Sequence, residues 1–190
     1  MARQRTSSGS SAASVYVALL RGINVGGKNV LPMAALAEIF SRTGCADVRT
    51  YIQSGNIVFT ASSEMAERIP GLVPTRIAER FGIRPPIVLR SSAELRRAAA
   101  ANPFLKAGAA PDSLHVAFLA DLPHRARRSA LDPRRSPGDS FALRGRELYL
   151  HLPNGTARTK LTNAYIDSTL GTTSTLRNWR TVLKLLELTD

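Results

Sequence analysis

Val15-Tyr16-Val17-Ala18-Leu19-Leu20 runs directly into Arg21-Gly22-Ile23-Asn24-Val25-Gly26-Gly27-Lys28-Asn29. The apolar run has the length and composition of a strand, and the polar, glycine-rich stretch after it reads as a loop. Pro32 can open the helix that follows, because its fixed φ and missing N–H suit a first helical position. Residues 31–43 place Met33, Leu36, Ile39 and Phe40 at helical spacing, and Gly44 offers the left-handed stop. Residues 48–53 and 57–61 are short β-rich runs, and Ser54-Gly55-Asn56 between them has hairpin-turn chemistry.

Working outward, residues 62–81 form a second helical region that Pro70-Gly71 is expected to break or kink, with Pro74 restarting it and Gly82 closing it. Residues 87–89 make a short strand, which completes the order β-α-β-β-α-β. Ser91-Ser92-Ala93-Glu94 has capping-box spacing for a helix to about residue 101, stopped by Asn102-Pro103. Residues 114–119 read as a strand and residues 123–131 as a short basic helix. Residues 140–143 and 147–152 form a hairpin turned at Arg144-Gly145-Arg146. Residues 160–170 and 176–188 read as helices, the latter with Leu176, Trp179, Val182, Leu183 and Leu186 on one face.

Twice-repeated β-α-β-β-α patterning predicts an α+β fold of two ferredoxin-like (split β-α-β, α/β plait) halves packed in one compact unit, plus a C-terminal helix. The expected division is a disordered tail at 1–13, a first plait with the glycine-rich loop at 14–90, and a second plait at 91–190. In such a plait strands one and two run the same way. The loop after strand one and the hairpin after strand two therefore emerge at the same end.

At 190 residues with 44% apolar content, the chain can bury a substantial core. No apolar run approaches the roughly 18 residues of a membrane span. Residues 1–13 are polar, carry Arg3 and Arg5, and lack the apolar segment of a secretory signal. The lone Cys45 excludes an internal disulfide and a cysteine-based zinc site. These features predict a cytoplasmic protein. The net charge is +12, and of the 26 Lys+Arg only Lys28, Lys106, Lys160 and Lys184 are lysines. Basic and acidic residues number 11 and 5 in residues 1–90, and 15 and 9 in residues 91–190. So even a spread argues for an arginine-rich surface over a dedicated nucleic-acid element, while still favouring phosphate-bearing partners.

The segments Ala18-Leu19-Leu20-Arg21-Gly22-Ile23-Asn24-Val25-Gly26-Gly27-Lys28-Asn29 and Val48-Arg49-Thr50-Tyr51-Ile52-Gln53-Ser54-Gly55-Asn56 resemble a widespread bacterial family, domain of unknown function 1697. Its members often begin with an ALLRGINVGG stretch. Thr175-Leu176-Arg177-Asn178-Trp179-Arg180-Thr181-Val182 carries the resemblance into the C-terminal part, so that it spans residues 15–188. What it implies is a fold of two α/β plaits in one chain. It implies no activity, substrate or catalytic residue. Pro70-Gly71 and the long N-terminal tail depart from the family pattern.

Three stretches are candidate binding sites. Gly22-Ile23-Asn24-Val25-Gly26-Gly27-Lys28 satisfies the glycine and lysine positions of a P-loop, but Asn29 stands where a Mg²⁺-binding Ser or Thr is needed. A looser anion site remains. The amides of Gly22, Gly26 and Gly27 can approach an anion closely, Arg21 and Lys28 supply charge, and Asn24, Gln53, Ser54 and Asn56 face them. The equally open structural alternative gives the glycines to the turn and pairs Arg21 with a carboxylate. The loop through Arg158 to Lys160 enters a helix, with Thr159 as the expected N-cap, and is a second anion candidate. Arg177, Arg180 and Lys184 share a face of the last predicted helix, with Trp179 expected in the core. His115 and His151 could meet across a plait, but two histidines without a third ligand make no metal centre. No catalytic set and no cofactor motif is present.

The sequence thus predicts a binding protein for a phosphate-bearing or anionic small molecule, with no membrane partner. Salt-sensitive nucleic-acid binding, a protein-interaction module, or an enzyme on a small anionic substrate are the alternatives.

Overall fold

The computed structural model describes residues 12–190. The expected disordered tail lies, but for Ala12 and Ala13, outside the described residues. Strand β1 (Ser14–Leu20) is followed by α1 (Met33–Arg42), β2 (Ala46–Tyr51), β3 (Asn56–Ala61), α2 (Ser63–Phe81) and β4 (Ile87–Ser91). Then come α3 (Ser92–Ala100), α4 (Pro103–Lys106), β5 (Leu114–Leu119), β6 (Ser140–Arg144), β7 (Glu147–His151), α5 (Asn163–Leu170), β8 (Ser174–Asn178) and α6 (Trp179–Glu187). The fold is α+β, with two four-stranded antiparallel sheets ordered β2-β3-β1-β4 and β6-β7-β5-β8.

β1 and β5 are interior strands covered on both faces, which is why their sequences run apolar without alternation. Ala18 and Leu20 point to an outer core with Leu36 and Phe40 of α1 and Ile69, Val73 and Ile77 of α2. Val17 and Leu19 point the other way. There they join Val116 and Phe118 of β5, Leu95 of α3, and Trp179, Val182 and Leu185 of α6 in a core shared by both sheets. Ala117 and Leu119 close a third core beneath Ile166 and Leu170 of α5.

The two sheets correspond residue by residue. Val17 pairs with Arg90 and Leu19 with Asn56, just as Val116 pairs with Arg177 and Phe118 with Glu147. Each equivalent arginine is buried and crosses to the opposite sheet. Arg90 donates from Nε to Glu147 Oε1 (2.9 Å) and from Nη2 to the Leu119 and Arg146 carbonyls (2.8 and 2.9 Å). Arg177 donates from Nε to Asn56 Oδ1 (2.6 Å) and from Nη2 to the Leu20 and Ser54 carbonyls (2.7 and 3.2 Å). In both, Nη1 returns to the carbonyl of the preceding leucine, Leu89 or Leu176. The halves are therefore joined by two reciprocal arginine clasps. One closes on a carboxylate and the other on an amide.

Several expectations are corrected. α2 runs unbroken through Pro70, Gly71 and Pro74, since Ala66, Ile69, Val73 and Ile77 bury one continuous face that outweighs the lost hydrogen bonds. Residues 123–131 give only a short 3-10 helix, Arg125–Arg127, so there is no α-helix between β5 and β6. Asn102-Pro103 both ends α3 and opens α4, the Asn102 side chain accepting from the Phe104 amide. The N-cap of α5 is Thr162, and Thr159 Oγ1 accepts from the Leu161 amide instead. The predicted helix over 176–188 begins only at Trp179. Residues before it form β8, and Asn178 caps α6 by accepting from the Thr181 amide.

Candidate functional site

The glycine loop is built on its asparagines. Asn24 sits at φ 54° and Asn29 at φ 51°, in the left-handed region that short amide side chains tolerate best among non-glycine residues. Asn24 Nδ2 donates to the Leu31 and Gln53 carbonyls (both 2.9 Å), and Asn24 Oδ1 accepts from the Leu31 amide (2.8 Å). Asn29 Nδ2 donates to the Gly22 carbonyl (2.7 Å). The loop is thereby closed on itself and tied to the β2–β3 hairpin. Gly55 admits no side chain: a Cβ there would lie 2.7 Å from Leu20 Cβ.

Arg21 leaves the end of β1 and reaches the second half. Its Nη1 pairs with Asp167 of α5 and donates to the Ser174 carbonyl (2.9 Å). Asp167 Oδ1 accepts from the Ser174 amide and hydroxyl (2.7 and 2.6 Å), so the carboxylate is fully engaged. Arg21 Nε and Nη2 make no hydrogen bond among the described residues. A cleft of about 320 Å³ opens here, lined by Arg21, Gly22, Val25, Ser54 and Arg177 of the clasp, and by Asn163 at the start of α5.

The structure groups some of the predicted residues and reassigns others. Arg21, Gly22, Ser54 and Arg177 line the cleft, and Asn24 and Gln53 adjoin it through their shared hydrogen bond. Asn56 is buried, donates to the Tyr51 carbonyl and Ser54 Oγ, and accepts from Arg177, so it serves the clasp. Burial pulls the Arg177 guanidinium down to about 10, still charged at neutral pH. The expected cationic face of Arg177, Arg180 and Lys184 does not form, because Arg177 is in a buried strand while Arg180 pairs with Asp112 and Lys184 with Glu187. Trp179 is in the core. Gly26, Gly27 and Lys28 form the exposed tip of the loop, where the Lys28 amide donates to the Val25 carbonyl. Arg158 and Lys160 are exposed in the segment leading to α5. The Lys28, Arg158 and Lys160 side chains have no ion-pair partner among the described residues. His115 and His151 face opposite sides of their sheet, since His151 pairs with Leu114 and His115 with Leu150; they do not meet.

A second, larger cleft had no signal in the sequence, because its residues come from six separate elements and loops. It measures about 730 Å³, and its lining includes Tyr16, Glu67, Pro70, Glu94, Asp121 and Arg146. It is the counterpart of the first under the correspondence of the halves, with β4 and α2 in the places of β8 and α5. Glu94 bonds the Ser91 amide in the α3 capping box and pairs with Arg146. Burial pushes its carboxyl up, but the Ser91 amide and the guanidiniums of Arg146 and Arg90 outweigh this and hold it below the ordinary value.

The family profile described as "Protein of unknown function (DUF1697)" matches residues 14–149. The chain belongs to this family. The match holds the glycine loop, the β2–β3 hairpin and the Arg90–Glu147 clasp, and ends within β7, before β8 with Arg177. A solved structure, that of conserved bacterial protein SP0830 from Streptococcus pneumoniae, is similar at 22% identity and a TM-score of 0.68. The likeness covers 94% of this chain and 100% of that one, and it shows the fold alone. No curated protein matches. No helix among the described residues is long and apolar enough to cross a membrane.

Proposed function

We propose that this DUF1697 protein is a cytoplasmic binding protein for a phosphate-bearing or anionic small molecule, held at the cleft between the glycine loop and α5. We take residues 14–90 and 91–190 as two ferredoxin-like plaits. The strand orders and the first half's β-α-β-β-α-β succession support that reading.

What carries the ligand assignment is a surplus of donors. Asp167, the carboxylate beside the cleft, already accepts from Arg21 and twice from Ser174. Arg21 Nε and Nη2 and the amides of Gly22, Gly26 and Gly27 have no acceptor among the described residues. Lys28 adds positive charge further along the glycine loop, Arg158 and Lys160 add it on the exposed segment leading into α5, and the first turn of α5, where Asn163 lines the cleft, adds its amide dipole. A ligand that complements such a lining is rich in acceptors and negatively charged.

A thermal-shift panel of inorganic phosphate, pyrophosphate, sugar phosphates, dicarboxylates and short RNA tests this at low and moderate salt. Stabilisation by one small-anion class that persists at moderate salt is expected. Stabilisation by RNA alone, vanishing with salt, would transfer the assignment to the distributed surface charge.

A further inference from the structure

The two inter-half clefts are equivalent in position and opposite in chemistry. In the larger one the surplus is of acceptors. Asp121 Oδ2 accepts only the Thr172 hydroxyl (3.3 Å), and neither Asp121 nor Glu67 has a cationic partner among the described residues. Arg146, the one cation in the lining among the described residues, is paired with Glu94 and donates from Nη1 to the Ala120 carbonyl (3.3 Å). Two exposed carboxylates without a cationic partner among the described residues thus stand on this cleft in a protein of net charge +12. Glu67 comes from α2 in the first half and Asp121 from the end of β5 in the second. The lining also brings apolar Ala66, Pro70, Leu89 and Ala120 together with polar Ser91, and Tyr16 contributes a ring stacked at 5.8 Å on Phe59. An aliphatic body along these walls and a positive end at each carboxylate would satisfy all of it, with the Tyr16 ring available to a cation.

We propose that this cleft is a second binding site, for an aliphatic amine or guanidinium compound whose cationic ends are taken by Glu67 and Asp121. The site is independent of the anion cleft and does not rest on that reading. Its volume of about 730 Å³ suits a compound of several methylenes. The ion pair of Glu94 with Arg146 forms part of its wall. Among the described residues of the lining, a simple anion would meet Glu67, Asp121 and Glu94, and an Arg146 already engaged.

Calorimetric titration with agmatine, which carries a guanidinium and an ammonium on a four-carbon chain, tests the site. Saturable one-to-one binding is expected. Loss of two charge-assisted contacts in Glu67→Gln/Asp121→Asn should weaken it by about tenfold or more. Glu64→Gln, an exposed carboxylate of the same helix outside the lining, should leave it unchanged, as should Lys28→Ala on the glycine loop. Absence of agmatine binding by the folded protein would overturn the proposal. So would equal affinity in the double variant, or equal affinity for the neutral analogue 1-butanol.

Discussion

Replacing Arg177 by methionine tests the two-clasp account of how the halves are held. The substitution keeps an apolar stem of similar length and removes every donor. Asn56 Oδ1 and the Leu20 and Ser54 carbonyls, all at the end of the first sheet, lose the guanidinium. Each buried acceptor left unpaired costs about 1–3 kcal/mol. Against this, a fully buried cation with no carboxylate partner is removed, and its desolvation cost goes with it. The expected net loss is about 3 kcal/mol, or roughly 6–12 °C in Tm for a chain of this size. Arg90→Met should cost more, because it strands the Glu147 carboxylate, whose side chain is 18% exposed. Urea unfolding followed by tryptophan fluorescence reads both, since Trp179 lies in the shared core. An Arg177→Met loss within about 0.5 kcal/mol of zero, the size of an ordinary surface change, would refute the reasoning. An Arg177→Met loss larger than that of Arg90→Met would refute the distinction between the clasps.

Three further outcomes are expected. Burial pushes the Cys45 thiol up to about 11, so Ellman's reagent should label it at pH 8 only in urea; prompt labelling of the native protein would contradict its placement in the core. Burial, then the nearby Glu147 charge, raises the Tyr149 hydroxyl to about 12. The folded state therefore keeps a proton that the unfolded chain releases near pH 10, and stability falls as pH rises from about 10 to 12. Tyr149→Phe should remove about one proton from that slope; an unchanged slope would contradict it. Asn24→Ala loses three hydrogen bonds that close the glycine loop and places alanine at φ 54°. A loss of about 2 kcal/mol, partly recovered in Asn24→Gly, is expected from urea melts; no recovery with glycine would argue against the backbone contribution.

Much of the fold was legible where a local rule coincides with the tertiary need. Ser91 and Glu94 do form the capping box, the β2–β3 and β6–β7 hairpins fall where their turns lie, and β1 leads into the loop as read. β8 was hidden because Leu176 stands three residues before Trp179, at helical spacing, while the strand exists by pairing with β5. The prolines of α2 misled in the opposite direction, since the buried face that keeps the helix intact is a property of the packing. The candidate site was half visible. Arg21, Gly22 and Ser54 share a cleft, as expected if the loop after β1 and the β2–β3 hairpin emerge at one end of the sheet. But Asn56 and Arg177, both chosen as ligand contacts, hydrogen-bond one another across 121 residues of chain, which no local pattern reveals. Glu67, Asp121 and Tyr16 carry no motif, and only the packing of the two sheets brings them to one cleft.

The central claim, an anion cleft at the glycine loop, is tested most directly by calorimetric titration of pyrophosphate into the wild type and into Lys28→Ala/Arg158→Ala, at moderate salt. Both side chains are exposed and have no ion-pair partner among the described residues, so the variant should fold and melt as the wild type does. Saturable binding by the wild type, weakened about tenfold or more in the variant, is the predicted result. Equal affinity in the two proteins, or no heat of binding in either, would contradict the account.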